Sequence, residues 1–291
     1  MIVSHDPTAL PRADRAVALG TFDGVHLGHQ AVMRAAIETG LRSTVITFWP
    51  HPREVLGYDV RLLTTLERKI EHIRAVGVDE LVVVEFTPEL ARLTPAGFVS
   101  QVLEPLQARV ILAGANFRFG HGRSGDGALL AQMGFDVRSV PLVEGVSSSR
   151  IRHLLEEGDA TTAAALLGRP HELEGTVVPG DQRGGTLGFP TANLAVRPNL
   201  LVPAYGIYAG EAVSGEERFR TALSIGVNPH YGGNERRIEA FLLDFEGDLY
   251  GDELRLELWQ RLREERVFAS EQALIEQIAL DVASARAAVR P

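Results

Sequence analysis

No cysteine occurs in the 291 residues, which excludes disulfides, thiolate nucleophiles and cysteine metal sites, and makes a reducing cytoplasmic setting the expected one. Lysine is nearly absent as well. Lys69 is the only one, in the run Leu66-Glu67-Arg68-Lys69-Ile70, and arginine supplies the remaining permanent positive charge. A P-loop requires Gly-Lys-Ser/Thr and is therefore excluded, as is the lysine-bearing strand of a protein kinase. Class I aminoacyl-tRNA synthetases share the histidine pair described below, but their lysine-rich second signature is missing. No apolar run reaches the roughly 20 residues of a membrane-spanning helix, so no membrane partner is expected. Met1–Arg15 has no long apolar core of the signal-peptide kind. A formal net charge of -9 argues against a nucleic-acid partner. If this chain handles ATP, it does so with histidine, arginine, backbone amides and a metal. The number of copies that work together is not legible at this level.

What is present points in one direction. From Leu19 the chain reads LGTFDGVHLGHQ, with two histidines, three glycines and an aspartate between Gly20 and His29. The apolar run Ala16–Leu19 precedes it, and a helix-compatible stretch, Ala31–Glu38, follows. A strand, a glycine-rich turn and a helix start is an arrangement whose free N–H groups attract phosphate. Imidazoles add hydrogen-bond donors and, when protonated, charge. A nucleotide phosphate is the expected ligand; the plain alternative is a βα turn with two surface histidines.

Length and hydrophobic content suit two domains. In the first half, strand-like runs at Ala16–Gly20, Ser43–Phe48, Glu80–Phe86, Arg109–Ala113 and Val137–Leu142 alternate with helices. That rhythm predicts a parallel sheet covered on both faces, with ligands at the carboxyl ends of its strands. Thr64 and Glu67 read as a capping box, and Thr94-Pro95 as an N-cap followed by proline. Ile151–Leu167 reads as one helix, and the domain boundary is expected near Leu167, giving domains 1–167 and 168–291. Beyond it, runs at Glu172–Val178, Ile207–Val213, Phe219–Val227, Arg237–Phe245 and Glu253–Leu262 predict a small antiparallel β-barrel. A C-terminal helix capped by Ser270 closes the chain, with Leu274, Ile278 and Val282 facing inward.

Further motifs carry chemistry. In Thr47-Phe48-Trp49-Pro50-His51-Pro52 two prolines stiffen a strand exit and two aromatics offer a flat apolar wall. The run Gly114–Asp126 holds a formal GxGxxG at Gly120, Gly122 and Gly125. It follows a late strand, where a dinucleotide fingerprint does not belong. Phe117, Arg118 and Phe119 suggest instead a surface for a flat ring. Ser147–Ser149 cap a helix and, with Arg152, form a second place for phosphate. In Gly188-Phe189-Pro190-Thr191-Ala192-Asn193, extended backbone puts Thr191 and Asn193 on one side, where their oxygens suit a hard cation such as magnesium. Four glycines from Gly180 to Gly188 suit a flap over phosphates. Glu239 shares an apolar strand face with Phe241, Leu243 and Phe245, the setting that makes a general base.

Taken together, LGTFDGVHLGH, TFWPHP, NFRFGHGRSGD and VSSSRIR, followed by LLGRP, GFPTAN, AYGIY and EAFLLDFEGDLYG, resemble the bacterial bifunctional riboflavin kinase and FAD synthetase family in order and over nearly the whole chain. The resemblance implies a Rossmann-like nucleotidyltransferase domain followed by a kinase barrel. It implies ATP-dependent phosphorylation of riboflavin to FMN, then adenylylation of FMN to FAD with release of pyrophosphate. His26 and His29 would then be catalytic, in an ATP site that includes Gly20, Phe22, Asp23, Gly24, Ser148 and Arg152. Phe48, Pro50, His51, Asn116, Arg118 and Phe119 would face the flavin. In the kinase, Gly180, Gly188, Thr191 and Asn193 would bind ATP, Thr191 and Asn193 holding Mg2+, and Glu239 would be the base beside riboflavin. Two positions depart from the family pattern. Gly185 replaces an arginine of the flap, and Pro229-His230-Tyr231 stands where Pro-Thr-Phe is usual. The alternatives are therefore a single-function FMN adenylyltransferase with a weak or lost kinase, and a flavin-nucleotide binding protein without turnover.

Overall fold

A computed structural model describes residues 1–180, 184, 187–227 and 236–291. Residue contacts divide the chain into two bodies, Met1–Ser148 and Ser149–Pro291.

The first body is built on strands β1 (Ile2–Ser4), β2 (Arg15–Leu19), β3 (Arg42–Trp49), β4 (Glu80–Glu85), β5 (Ala108–Gly114) and β6 (Asp136–Val140). They form one sheet in the order β1-β4-β3-β2-β5-β6, and every pairing is parallel. The five expected strands are all present. The three-residue edge strand β1 was not expected. Side chains of β2 alternate: Val17 and Leu19 enter one core cluster, Ala16 and Ala18 the other. Helix α1 (Leu27–Ile37) covers the second face with Val32, Met33 and Ala36. The four-residue α2 (Pro52–Val55) and the helix α3 (Leu66–Val76) follow β3. The cap of α3 corrects the expectation by one residue. Thr65, not Thr64, accepts from Arg68 N, and Thr64 Oγ1 instead accepts from Gly24 N at 3.4 Å. Short helices α4 (Pro88–Ala91) and α5 (Pro95–Phe98) follow β4, and Thr94 caps α5 as expected. Beyond β5 comes α6 (Gly127–Gln132).

At the start of the second body the single helix expected over Ile151–Leu167 is two, α7 (Ser148–Glu157) and α8 (Ala160–Leu167). Gly158 takes a left-handed φ of 87°, and Asp159 caps α8 by accepting from Thr162 N at 2.9 Å. Strands β7 (His171–Val178), β8 (Ala192–Val196), β9 (Gly206–Ser214), β10 (Glu217–Val227), β11 (Arg236–Leu242) and β12 (Glu253–Arg263) close into an antiparallel barrel of order β10-β11-β8-β7-β12-β9. Strand β8 was not expected. Its interior holds Leu173, Leu194, Tyr208, Leu223, Ile238 and Leu256, joined by Ala160 of α8. Each leucine or isoleucine among them contributes about 1.5–3 kcal/mol on full burial. Helix α9 (Glu271–Ala287), capped by Ser270 as expected, packs on β9 and β10. It is tied to β12 by Arg263, whose guanidinium donates to the Asp281 carboxylate at 2.7–3.1 Å.

Candidate active sites

The first site follows from the strand order. From β2 the chain goes to β3 and β4 on one side, where the edge strand β1 also lies, and then crosses to β5 and β6 on the other. The crevice at such a reversal, outside the strands' carboxyl ends, is where open parallel sheets bind ligands. Gly20–His26 is the loop that emerges there from β2, and Ala115–Asp126 emerges from the neighbouring β5.

His26 is the N-cap of α1, and its Nδ1 accepts from His29 N at 3.2 Å. With Nδ1 accepting, the neutral ring carries its proton on Nε2. The two imidazoles stack at 3.5 Å, and the edge of Phe22 meets His29 at 5.2 Å. A Cβ at Gly28 would come within 3.2 Å of the His26 ring, so glycine gives the pair its room. Phe22 and Val25 hold φ of 49° and 41° while buried. Strain of that kind costs about 1–3 kcal/mol per residue and persists only where neighbours over-determine it. Here they do. Gly20 N donates to Ile46 O at 3.2 Å, and Gln30 Nε2 to Val25 O at 3.0 Å. Leu63 N donates to both Asp23 carboxylate oxygens, at 3.0 and 3.2 Å. The Thr21 carbonyl receives Thr47 Oγ1 at 2.9 Å and Lys69 Nζ at 3.1 Å. Ser148 Oγ donates to Asp23 O at 3.0 Å, bringing the start of α7 to the loop.

The structure thus gathers Gly20, Phe22, Asp23, Gly24, His26, His29 and Ser148 into one cluster. Within it Phe22 and Asp23 shape the loop: the ring is buried, and the carboxylate is turned inward to Leu63 N. Arg152 lies one turn beyond Ser148 along α7 and belongs to the second body. Asn116 and Arg118 are exposed on the adjacent loop. Phe119 is buried and pairs with Gly125 through bonds of 3.0 and 2.9 Å, so the GxGxxG run closes a short ladder. Phe48 and Trp49 do not make one wall. Strand alternation sends Phe48 into the core beside Phe98, and leaves Trp49 half-buried under Lys69 Nζ. Pro50 is exposed, whereas His51 is buried and caps α2, its Nδ1 accepting from Arg53 N at 3.2 Å. Sequence reading missed Lys69, Thr64 and Thr47. Burial pushes the Lys69 ammonium down to about 8, with Asp23 opposing the shift.

The second site is a cleft of ≈ 480 Å³ on the barrel. Glu239 on β11 stands opposite Asn193 on β8 and Ser224 on β10. Directly opposed residues share a face, so Glu239 and Asn193 meet in the cleft with Thr191, two residues before Asn193. Gly180 leaves space for this: a Cβ there would lie 2.1 Å from Asn193 Nδ2. Gly188 takes a φ of 87° at the turn leading into Phe189. Phe189 and Phe241 meet edge-on at 5.5 Å and supply an apolar wall. The expected face of Glu239 is shortened. The strand ends at Leu242, Leu243 is buried, and Phe245 packs on Phe219 against the barrel core. The inward aspect of α9 is as expected, since Leu274, Ile278 and Val282 line the cleft. Glu265, Arg266 and Phe268 also line it and were not anticipated. Burial pushes the Glu265 carboxyl up, and the negative charge of Glu239 adds to that. Arg183, Gly185 and His230 lie outside the described residues. Thr191, Asn193 and Glu239 offer only hydroxyl, amide and carboxylate oxygen, a donor set that fits a hard divalent cation. Among the described residues no group of three or more histidines and carboxylates is placed to hold a metal, and no helix is long and apolar enough to cross a membrane.

A histidine loop at the switch point of a parallel sheet and an oxygen-lined cleft on a small barrel define a two-centred transferase acting on phosphates. Comparison with known proteins narrows this. The family model described as FAD synthetase matches residues 10–152, and that described as Riboflavin kinase matches 167–289. The bifunctional riboflavin kinase/FMN adenylyltransferase of Listeria monocytogenes is 38% identical over 94% of this chain and 92% of its own. That of Bacillus subtilis is 39% identical over 93% and 91%. A crystal structure titled as a macrolide-efflux protein from Streptococcus pneumoniae superposes with a TM-score of 0.89 at 29% identity, over 99% of both chains. The chain belongs to the bifunctional riboflavin kinase/FMN adenylyltransferase family. It is a transferase that phosphorylates riboflavin to FMN and adenylylates FMN to FAD, with ATP, riboflavin, FMN and FAD as its substrates and products. Enzymes of this kind use ATP with a divalent metal.

Proposed function

We infer that the two reactions run at the two sites described, adenylyl transfer in residues 1–167 and phosphorylation in residues 168–291. At the loop of Gly20, Phe22, Asp23 and Gly24, ATP phosphates lie against the start of α1. His26 donates from Nε2 and His29 lies beside it. An FMN phosphate oxygen attacks the α-phosphorus of ATP, the bond to pyrophosphate breaks, and the imidazoles stabilise charge on the departing oxygens. Ser148 adds a hydroxyl for the same phosphates. Asn116 and Arg118 face the flavin from their exposed loop. Pro50 offers it a surface, and Phe48, His51 and Phe119 hold that side in shape from within.

On the barrel, Glu239 accepts the proton of the riboflavin 5′-hydroxyl as its oxygen attacks the γ-phosphorus and ADP leaves. Gly180 and Gly188 shape the ATP side. Thr191 and Asn193 would hold Mg2+, which when bound would neutralise charge on the phosphate oxygens. Because both reactions consume ATP, we assign them to the cytoplasm. The observation that carries this reading is the cross-strand placement of Glu239 opposite Asn193, which puts a carboxylate and an amide oxygen on one face of one cleft. Incubation with riboflavin, ATP and MgCl2, with chromatographic separation of riboflavin, FMN and FAD, tests it. FMN should form first and FAD after it. Accumulation of neither sinks the reading.

A further inference from the structure

Lys69 is the one lysine of the chain, and it is buried, with 1% of its surface exposed. Its ammonium donates to the Thr21 carbonyl at 3.1 Å, lies 5.3 Å from the Trp49 ring centroid, and is attracted by the Asp23 carboxylate. Thr21 and Asp23 flank the strained Phe22, and Asp23 lies three residues before the cap His26. A buried ammonium is costly unless neighbours compensate it. Arginine, used at every other permanently cationic position, cannot lose its proton there; lysine can.

We propose that Lys69 is a positioning residue for adenylyl transfer: its ammonium ties down the Thr21 carbonyl and cancels the Asp23 carboxylate beneath the loop that carries His26 and His29, so that ATP meets a floor with no net negative charge. This rests on the assignment of ATP to that loop. Loss of the proton leaves Asp23 uncompensated under a polyanion, which weakens ATP binding more than it slows chemistry.

Burial brings that proton's loss down to about pH 8. Stability moves the other way. The folded value lies below the ordinary lysine value of about 10.4, so folding expels the proton below that value. Stability from this group therefore rises as pH climbs from about 8 toward 10.4, while affinity for ATP falls. From the loop the Asp23 carboxylate acts on Lys69, and β3 contributes the Trp49 ring. On its own helix Glu67 and Glu71 are exposed, Arg68 pairs with Glu71, and His72 is half-buried. Helix α1, packed on α3, carries His29 and Arg34, the latter bonded to Gln30. Variants at Lys69 itself separate its titration from theirs.

The test measures kcat and KM for ATP in FAD formation from supplied FMN between pH 7 and 9.5, with thermal unfolding of each full-length chain, followed by circular dichroism, as the folding control. Wild type should show KM for ATP rising about tenfold across that range, the scale of one uncompensated charge nearby, with kcat changing less. Lys69→Met should start at the high KM at pH 7 and show no break near pH 8. Lys69→Arg should recover the pH 7 KM at least in part and also show no break. Wild-type KM at pH 7 and an unchanged alkaline break in Lys69→Met overturn the proposal. Should that variant be unfolded at the assay temperature, Lys69→Arg decides: a retained break at the same pH overturns it. Wild type that makes no FAD overturns the functional reading itself, and the proposal with it.

Discussion

Replacing His26 separates the capping role of its imidazole from the phosphate-donor role proposed for it. Nδ1 caps α1 through His29 N, and Nε2 carries the proton available to a phosphate. Alanine removes both. Loss of an N-cap costs about 0.5–2 kcal/mol, which lowers the melting temperature of a body of this size by roughly 1–8 °C. Loss of a donor aimed at developing charge slows the step by about 10²–10³. Asparagine is a good N-cap whose side-chain oxygen accepts as Nδ1 does, but it has no nitrogen at the Nε2 position. His26→Asn should therefore unfold near the wild-type temperature and still form FAD about 10²–10³ more slowly. His26→Ala should lose both stability and rate. Thermal unfolding with initial rates of FAD formation from supplied FMN reads the two effects separately, and FMN formation should be untouched in both variants. FAD formation by His26→Asn within about threefold of wild type would refute the reasoning, because the ring would then be a cap and nothing more.

Glu239→Gln keeps the shape of the cleft and removes the basicity, so FMN formation should fall by about 10²–10⁴, while FAD formation from supplied FMN stays unchanged. An unimpaired variant would make Glu239 a bystander. A fragment starting at Ser149 keeps α8, whose Ala160 joins the barrel core and whose Thr161 Oγ1 donates to Trp259 O at 3.3 Å. It should fold and phosphorylate riboflavin, and a fragment starting at Gly168 should melt lower; equal melting temperatures would show that α8 adds nothing to the barrel.

Much of the sheet was legible because its strands are buried on both faces and read as apolar runs such as Ala16–Leu19. The short edge strand β1 has too few residues for any pattern to emerge. Strand β8 was hidden for another reason. Thr191 and Asn193 lie in a glycine- and proline-rich stretch that reads as loop, although strand pairing is what sets Asn193 opposite Glu239. Adjacent threonines made the α3 cap ambiguous, and Glu67 favoured the wrong one. The Gly158-Asp159 pair was an available signal for the break between α7 and α8 that a continuous apolar pattern outweighed. At the sites, the histidine loop was visible by composition and position. The inward turn of Asp23, the burial of Phe48 and the reach of Lys69 to Thr21 were not. Each depends on which face of a neighbouring element arrives, and no local pattern carries that information. Phe268 and Glu265 were missed in the same way, since they enter the cleft from beyond the end of β12.

Two independent centres in one chain, acting in series on the flavin, leave a distinct order of products. The most direct measurement follows riboflavin, FMN, FAD, ADP and pyrophosphate over time in wild type, His26→Asn and Glu239→Gln, each supplied with riboflavin, ATP and MgCl2. Wild type should give FMN and ADP first, then FAD and pyrophosphate. FMN should accumulate in His26→Asn, and riboflavin should stay unreacted in Glu239→Gln, where added FMN bypasses the block to give FAD. Equal loss of both steps in either folded variant, or a wild type that forms FAD only from supplied FMN, would contradict two independent centres in series.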